Sequence, residues 1–243
     1  MAGRLNGVAA LIKAQYPKAL YFHCASHALN LCIVSTSKVT NVMSMWVVLK
    51  DVSFFFSSSP KRQGQLEDAI KEAPADLLGN SPKVKLVDFC RTRWVARHNA
   101  LVAFKQLFLA VVATLELVGT NSGGSWNSES VASASSLLRS ITDFRFIVTF
   151  TVVSDALGYI HALTIRLQNP GFDICQAYRE VEMVHKVISK ARTSVDVRHS
   201  DWWKAAVAMA EQVTLRFLVS SSVSEVHQKE YYPYWYIRTC IEI

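Results

Sequence analysis

Two short stretches of this chain carry residue types that could do chemistry. In the first, Tyr21-Phe22-His23-Cys24-Ala25-Ser26-His27-Ala28-Leu29-Asn30-Leu31, Cys24 and His27 stand three residues apart. On a helix that spacing turns both side chains the same way, which supplies half of a tetrahedral zinc site. Nothing in the pattern supplies the other half. The remaining cysteines are scattered singly, and only His23 is adjacent. A buried thiol beside a hydrogen-bonded imidazole, packing a strand–helix junction, is the simpler reading, and no metal is expected. A Cys–His nucleophile would need an exposed thiolate and a third group to orient the base. The neighbours of Cys24 are apolar.

The second stretch is Arg91-Thr92-Arg93-Trp94-Val95-Ala96-Arg97-His98-Asn99. Arginines that pair with phosphates, beside a ring able to stack on an unpaired base, make Arg93, Trp94 and Arg97 candidates for DNA contact. The same residues also suit a tryptophan that anchors a long helix, with the arginines solvated. Two-metal phosphoryl chemistry would need carboxylates on adjacent strands. The acids here lie mostly in helical patterns (Glu67, Asp68, Glu72, Glu180, Glu182), which leaves Asp51 and Asp88 near apolar segments. No glycine-rich phosphate loop, HExxH or GxSxG occurs, so no catalytic residue and no cofactor is expected.

Composition narrows the classes. With 243 residues, 51% of them hydrophobic, the chain can bury one large core or two smaller ones. Only 9 Gly and 6 Pro punctuate it, which favours helices over many short strands. A formal charge of +7 is compatible with an anionic partner, although many domains carry as much. Five cysteines without regular spacing argue against a disulfide framework and for a reducing compartment. No signal peptide is visible. The most apolar segments are interrupted by Lys105, Gln106, Thr114 and Glu116, or by Thr149, Thr151 and Asp155, so no membrane span is expected. Both ends read as cuts within a larger domain.

Hydrophobic spacing predicts helices over 4–16, 38–56, 61–73 and from Trp94 to Val118, with a short buried strand at Ala19-Leu20-Tyr21-Phe22 and a helix after Cys24. Gly119 to Ser128 reads as a linker. Beyond it, Phe146, Phe150, Val153, Leu157, Ile160 and Leu167 step at helical intervals around a polar Thr164. Asp173 stands at an N-cap before Ile174, Ala177, Val181, Val184, Ile188 and Ala191. A last helix over 201–218 carries Trp203, Val207, Ala210, Val213 and Phe217, which completes an antiparallel bundle.

Together these motifs resemble the hAT-superfamily transposases, closest to the branch of zinc finger MYM-type and 52 kDa repressor of the inhibitor of the protein kinase-like proteins. Met1 to Val8 is similar to the stretch after that family's second catalytic aspartate. His23 to Leu31 matches its Cys-x-x-His-x-Leu-Asn-Leu motif, and Thr92-Arg93-Trp94 its Thr-Arg-Trp motif. Leu167-Gln168 with Asp173-Ile174 resembles its helical insertion. The resemblance implies a mainly α fold: a partial RNase H-like α/β core within 1–100, and a large all-helical insertion over 101–243. It implies that Cys24, His27 and Asn30 support the core structurally and that Trp94 lies near DNA. Intact family members cut DNA with magnesium held by an Asp-Asp-Glu triad.

By that alignment both aspartates fall before Met1 and the glutamate after Ile243, so the resemblance implies no catalysis by this chain. The expectation is a nuclear, transposon-derived remnant that binds DNA, a protein partner or a second copy of itself. No membrane and no small-molecule substrate are expected. Two alternatives stand beside it: a fragment of an active transposase, and a helical protein-interaction module.

Overall fold

Capping side chains fix where four of the helices begin. The computed structural model describes residues 7–19, 39–73, 86, 94–121, 123–167 and 173–223, with backbone alone for 94–97, 174, 177 and 218–223. Among these residues eight helices follow one another. They are α1 (Val8–Gln15), α2 (Thr40–Ser57), α3 (Pro60–Glu72), α4 (Trp94–Thr120), α5 (Ser128–Thr142), α6 (Phe144–Arg166), α7 (Ile174–Thr193) and α8 (Val195–Val223). Pro60 opens α3 behind Ser59, whose hydroxyl accepts from the Arg62 amide. Asn127 accepts from the Ser130 amide at 2.9 Å to start α5. Asp143 both closes α5 and caps α6, accepting from the Arg145 amide at 2.7 Å. Asp173 caps α7 as its position in the sequence anticipates.

The glycine-rich stretch after α4 is a tied corner. Asn121 adopts a left-handed φ of 47°, the usual way to end a helix. Its side chain accepts from the Trp126 amide at 3.0 Å and donates to the Trp126 carbonyl at 3.3 Å. The Lys61 ammonium sits 4.2 Å over the Trp126 ring. Two residues before Asn121, a Cβ at Gly119 would come within 2.9 Å of Ser135 Oγ, so glycine eases the approach of α4 and α5.

α4 and α6 are the central helices. α4 packs against α3, α5, α6 and α8, and α6 against α2, α4, α5, α7 and α8. One contiguous apolar cluster joins Leu49 and Phe56 of α2, Leu66 of α3, Phe104 and Leu115 of α4, Ile141 of α5, Phe150 of α6 and Ala206 of α8. α4 runs unbroken through residue 100, so α2 and α3 share this cluster with the helices that follow. Two of the buried polar residues bond locally: Thr114 and Thr164 each donate to the carbonyl four residues back.

The fold is mainly helical, and no strand occurs among the described residues. The strand expected at 19–22 falls on residues 20–22, outside them. The helix expected after Asp173 forms as α7; Val181 and Ile188 of its stripe are exposed, with Tyr178 and Met183 beside them. In α8, the residues that go fully inside are Ala206, Met209 and Val213. Lastly, His98–Thr120 and Phe144–Arg166 are long and apolar enough to cross a membrane by length and composition, despite their polar interruptions. Here both carry core residues, with Phe104, Leu107 and Val111 on one and Phe146, Ile147 and Phe150 on the other.

Candidate functional site

Where α4, α6 and α8 meet, the surface opens into a cleft of about 370 Å³. That is the low end of the range for sites that hold a ligand. α4 contributes His98, Leu101, Val102 and Lys105, a stripe set by the 3.6-residue turn. α6 contributes Phe150, Thr151, Ser154 and Asp155 from one face, and α8 closes the cleft with Arg198, Asp201, Trp202 and Ala205. Leu101, Val102, Phe150 and Ala205 give it apolar lining.

A carboxylate ties the walls together. Trp202 Nε1–H donates to Asp155 Oδ2 at 2.9 Å, and the Tyr159 hydroxyl donates to the same oxygen at 3.4 Å. Asp155 is half-buried, so these donors help offset the cost of removing its charge from water. The Arg198 guanidinium lies 5.5 Å from the centre of the Tyr159 ring. Lower in the same seam, the His98 and His161 rings stack with centroids 3.9 Å apart and planes inclined by 25°. His98 Nδ1, His161 Nδ1 and Ser154 Oγ are buried atoms without a hydrogen-bond partner. Groups of this kind are few in folded proteins.

Burial lowers the pKa of His98 below its ordinary 6.5, and the neighbouring His161 lowers it further. Burial alone lowers that of His161. Both rings are therefore neutral at pH 7. In the unfolded chain each histidine takes a proton near 6.5, whereas the stacked pair resists until lower pH. The pair's contribution is thus complete above that value and is lost as the pH falls below it. Melting temperature is expected to drop between about pH 7.5 and pH 5, and His161→Phe, which keeps the ring contact, is expected to flatten the drop. An equally steep decline in that variant would remove the pair as its source.

Ser154 Oγ and His98 Nδ1 make no bond to each other. Among the described residues no group of three His, Cys, Asp or Glu could hold a metal ion. Asp51, one of the two acids flagged from the sequence, is exposed on α2, and Asp88 lies outside the described residues.

Of the other residues anticipated from the sequence, Cys24, His27, Asn30 and Arg93 also lie outside them. Trp94 and Arg97 fall in the first turn of α4, so by backbone position they lead directly into the cleft at His98. The sequence named His98 only as part of that motif and did not single out Ser154, Asp155, His161, Arg198 or Trp202. Their helical spacing was visible, but the register between three separate helices was not.

No family model matches the chain, and no solved structure matches it. Among curated proteins, the mouse 52 kDa repressor of the inhibitor of the protein kinase is 25% identical over 230 residues, which cover 93% of this chain and 30% of the relative. The human protein of the same name is likewise 25% identical, over 229 residues, with the same shares covered. The chain is therefore similar, along nearly its whole length, to a segment spanning about 30% of proteins named as repressors.

Proposed function

We propose that this chain is a non-catalytic, transposon-derived helical module that acts in the nucleus by binding a protein partner at the cleft between α4, α6 and α8. The single observation that carries the reading is the cleft's make-up: an apolar lining with charges of both signs around it. Phosphate backbones favour surfaces of one sign, and Asp155 and Asp201 oppose them here. The relatives' name as repressors supports a regulatory role over an enzymatic one. The hAT resemblance belongs to this reading. It places an RNase H-like remnant within 1–100, with Cys24, His27 and Asn30 in structural support, and the helical insertion over 101–243. Magnesium would serve only an intact, catalytic relative.

DNA contact is the second reading, favoured by the net charge of +7 and by Arg93, Trp94 and Arg97 around the start of α4. The two separate in a titration of a fluorescein-labelled duplex followed by anisotropy. The protein-binding reading expects weak retention that disappears by about 150 mM salt and is unchanged in Trp94→Ala. Retention that survives that salt and falls in Trp94→Ala, Arg93→Ala or Arg97→Ala would make DNA the ligand.

A further inference from the structure

We infer that α7 is a self-association surface, on which a second copy of this chain lays its own α7 antiparallel about a two-fold axis. The inference stands apart from the cleft reading, since no residue of α7 lines the cleft. The sequence sets up the seam. Tyr178, Val181, His185 and Ile188 follow one another at steps of three, four and three residues, the spacing that keeps one narrow stripe against another helix. Within the described residues α7 packs mainly on α6, and less on α8. That leaves Tyr178 74% exposed, Val181 45% and Ile188 43%, with His185 exposed between them. Single exposed apolar residues are ordinary. Three in one register, on a helix of 20 residues, form a strip that runs along about 15 Å of it.

The charges select the occupant. The first half of α7 carries Arg179, Glu180 and Glu182 behind the Asp173 cap, and the second half Lys186, Lys190 and Arg192. An antiparallel copy brings each acidic half against a basic half, whereas a parallel copy sets like against like. With the two-fold between Val184 and His185, Val181 of each copy stands opposite Ile188 of the other. Glu182 and Lys186 lie on one flank of the strip, and Glu182 of each copy comes level with Lys186 of the other. Within one chain these two pair at 3.1 Å with both side chains more than half exposed, so they are free to serve the second copy as well. Glu180 is held by Arg166 of α6, so the contact between copies rests on Glu182 and Lys186.

The test is the mass of the full chain by sedimentation equilibrium. The unmodified chain is expected to pass from monomer to dimer with a dissociation constant of about 10 μM, as suits a contact confined to one helix. Val181→Glu, at an exposed position, is expected to leave a monomer at about 100 μM with its melting temperature maintained. Leu215→Glu, exposed on α8, is expected to leave the dimer unchanged. Glu182→Lys and Lys186→Glu are each expected to weaken self-association about tenfold. An equimolar mixture of those two variants is expected to recover it, because both cross-pairs are then of opposite sign. Loss of the pair within each helix cannot be repaired by mixing, so recovery reads the contact between copies alone.

An unmodified chain that stays monomeric at about 100 μM would overturn the inference, whether a segment of its own or a different protein covers the strip. A dimer indifferent to Val181→Glu would overturn it too, and so would a mixture no tighter than its two components. None of these outcomes bears on the cleft.

Discussion

Phe104→Ala is expected to cost about 3–5 kcal/mol of folding stability, read as a shift in the midpoint of urea unfolding. The ring is completely buried in α4, with the rings of Phe108, Phe146 and Phe150 at centroid distances of 5.8, 6.1 and 5.3 Å. Truncation removes apolar area and leaves a cavity between the two central helices, where neighbours held by α5 and α8 cannot close in. Domains of this size have about 5–15 kcal/mol in all, so the variant is expected near the edge of folding. The effect should reach the cleft, because Phe150 both packs on Phe104 and lines that opening. A loss below about 1 kcal/mol would mean that α4 does not occupy the centre of the core.

Arg62→Ala is expected to cost about 2–3 kcal/mol, far more than an ordinary surface change. The Arg62 guanidinium donates to the Phe55 carbonyl at 2.7 Å, to Ser130 Oγ at 2.9 Å and to Ser58 Oγ at 2.9 Å. It also lies 4.4 Å from the centre of the Phe55 ring. One side chain thus joins the end of α2, the start of α3 and the start of α5. Removing it leaves the buried Ser130 hydroxyl and a helix-terminal carbonyl without this donor. Arg62→Lys should recover only part of the loss, since a single ammonium cannot reproduce the planar fork. Unfolding midpoints of the two variants check both statements. A value for Arg62→Ala within about 0.5 kcal/mol of the unmodified chain would contradict the role assigned to the fork.

These two residues also show what the sequence could and could not convey. The helix of Phe104 was legible because its apolar residues recur at the helical period over a long run. Asp173 was legible as a cap because a cap acts within three residues of itself. Arg62 looked like one charge among many on a solvated helix, since its partners at Phe55 and Ser130 meet it only in three dimensions. α5 was missed for a different reason. Its serine-rich sequence, Ser128-Glu129-Ser130-Val131-Ala132-Ser133-Ala134-Ser135-Ser136, carries a weak helical signal, given by the Asn127 cap and the spacing of Val131, Ala134, Leu138 and Ile141. Small residues there serve the close approach of α4, where Gly119 meets Ser135.

α7 was legible as a helix behind its Asp173 cap, but its exposure was not: Val181 and Ile188 of its apolar stripe stay exposed. Periodicity reports a helix and its apolar side, not whether another element covers it. The cleft was hidden for the same reason as Arg62. Asp155 and Trp202 are 47 residues apart, and neither lies in a motif.

The central claim, that the cleft between α4, α6 and α8 receives protein, is tested most directly by photo-crosslinking. Val102 lines the cleft and is 39% exposed, so it can carry a benzophenone side chain; Lys50, exposed on α2, serves as the control position. The account predicts a discrete adduct in cells at position 102 and not at 50, resistant to nuclease, destroyed by protease, and diminished by Asp155→Asn. Adducts that nuclease removes, or equal protein adducts at both positions, would contradict it.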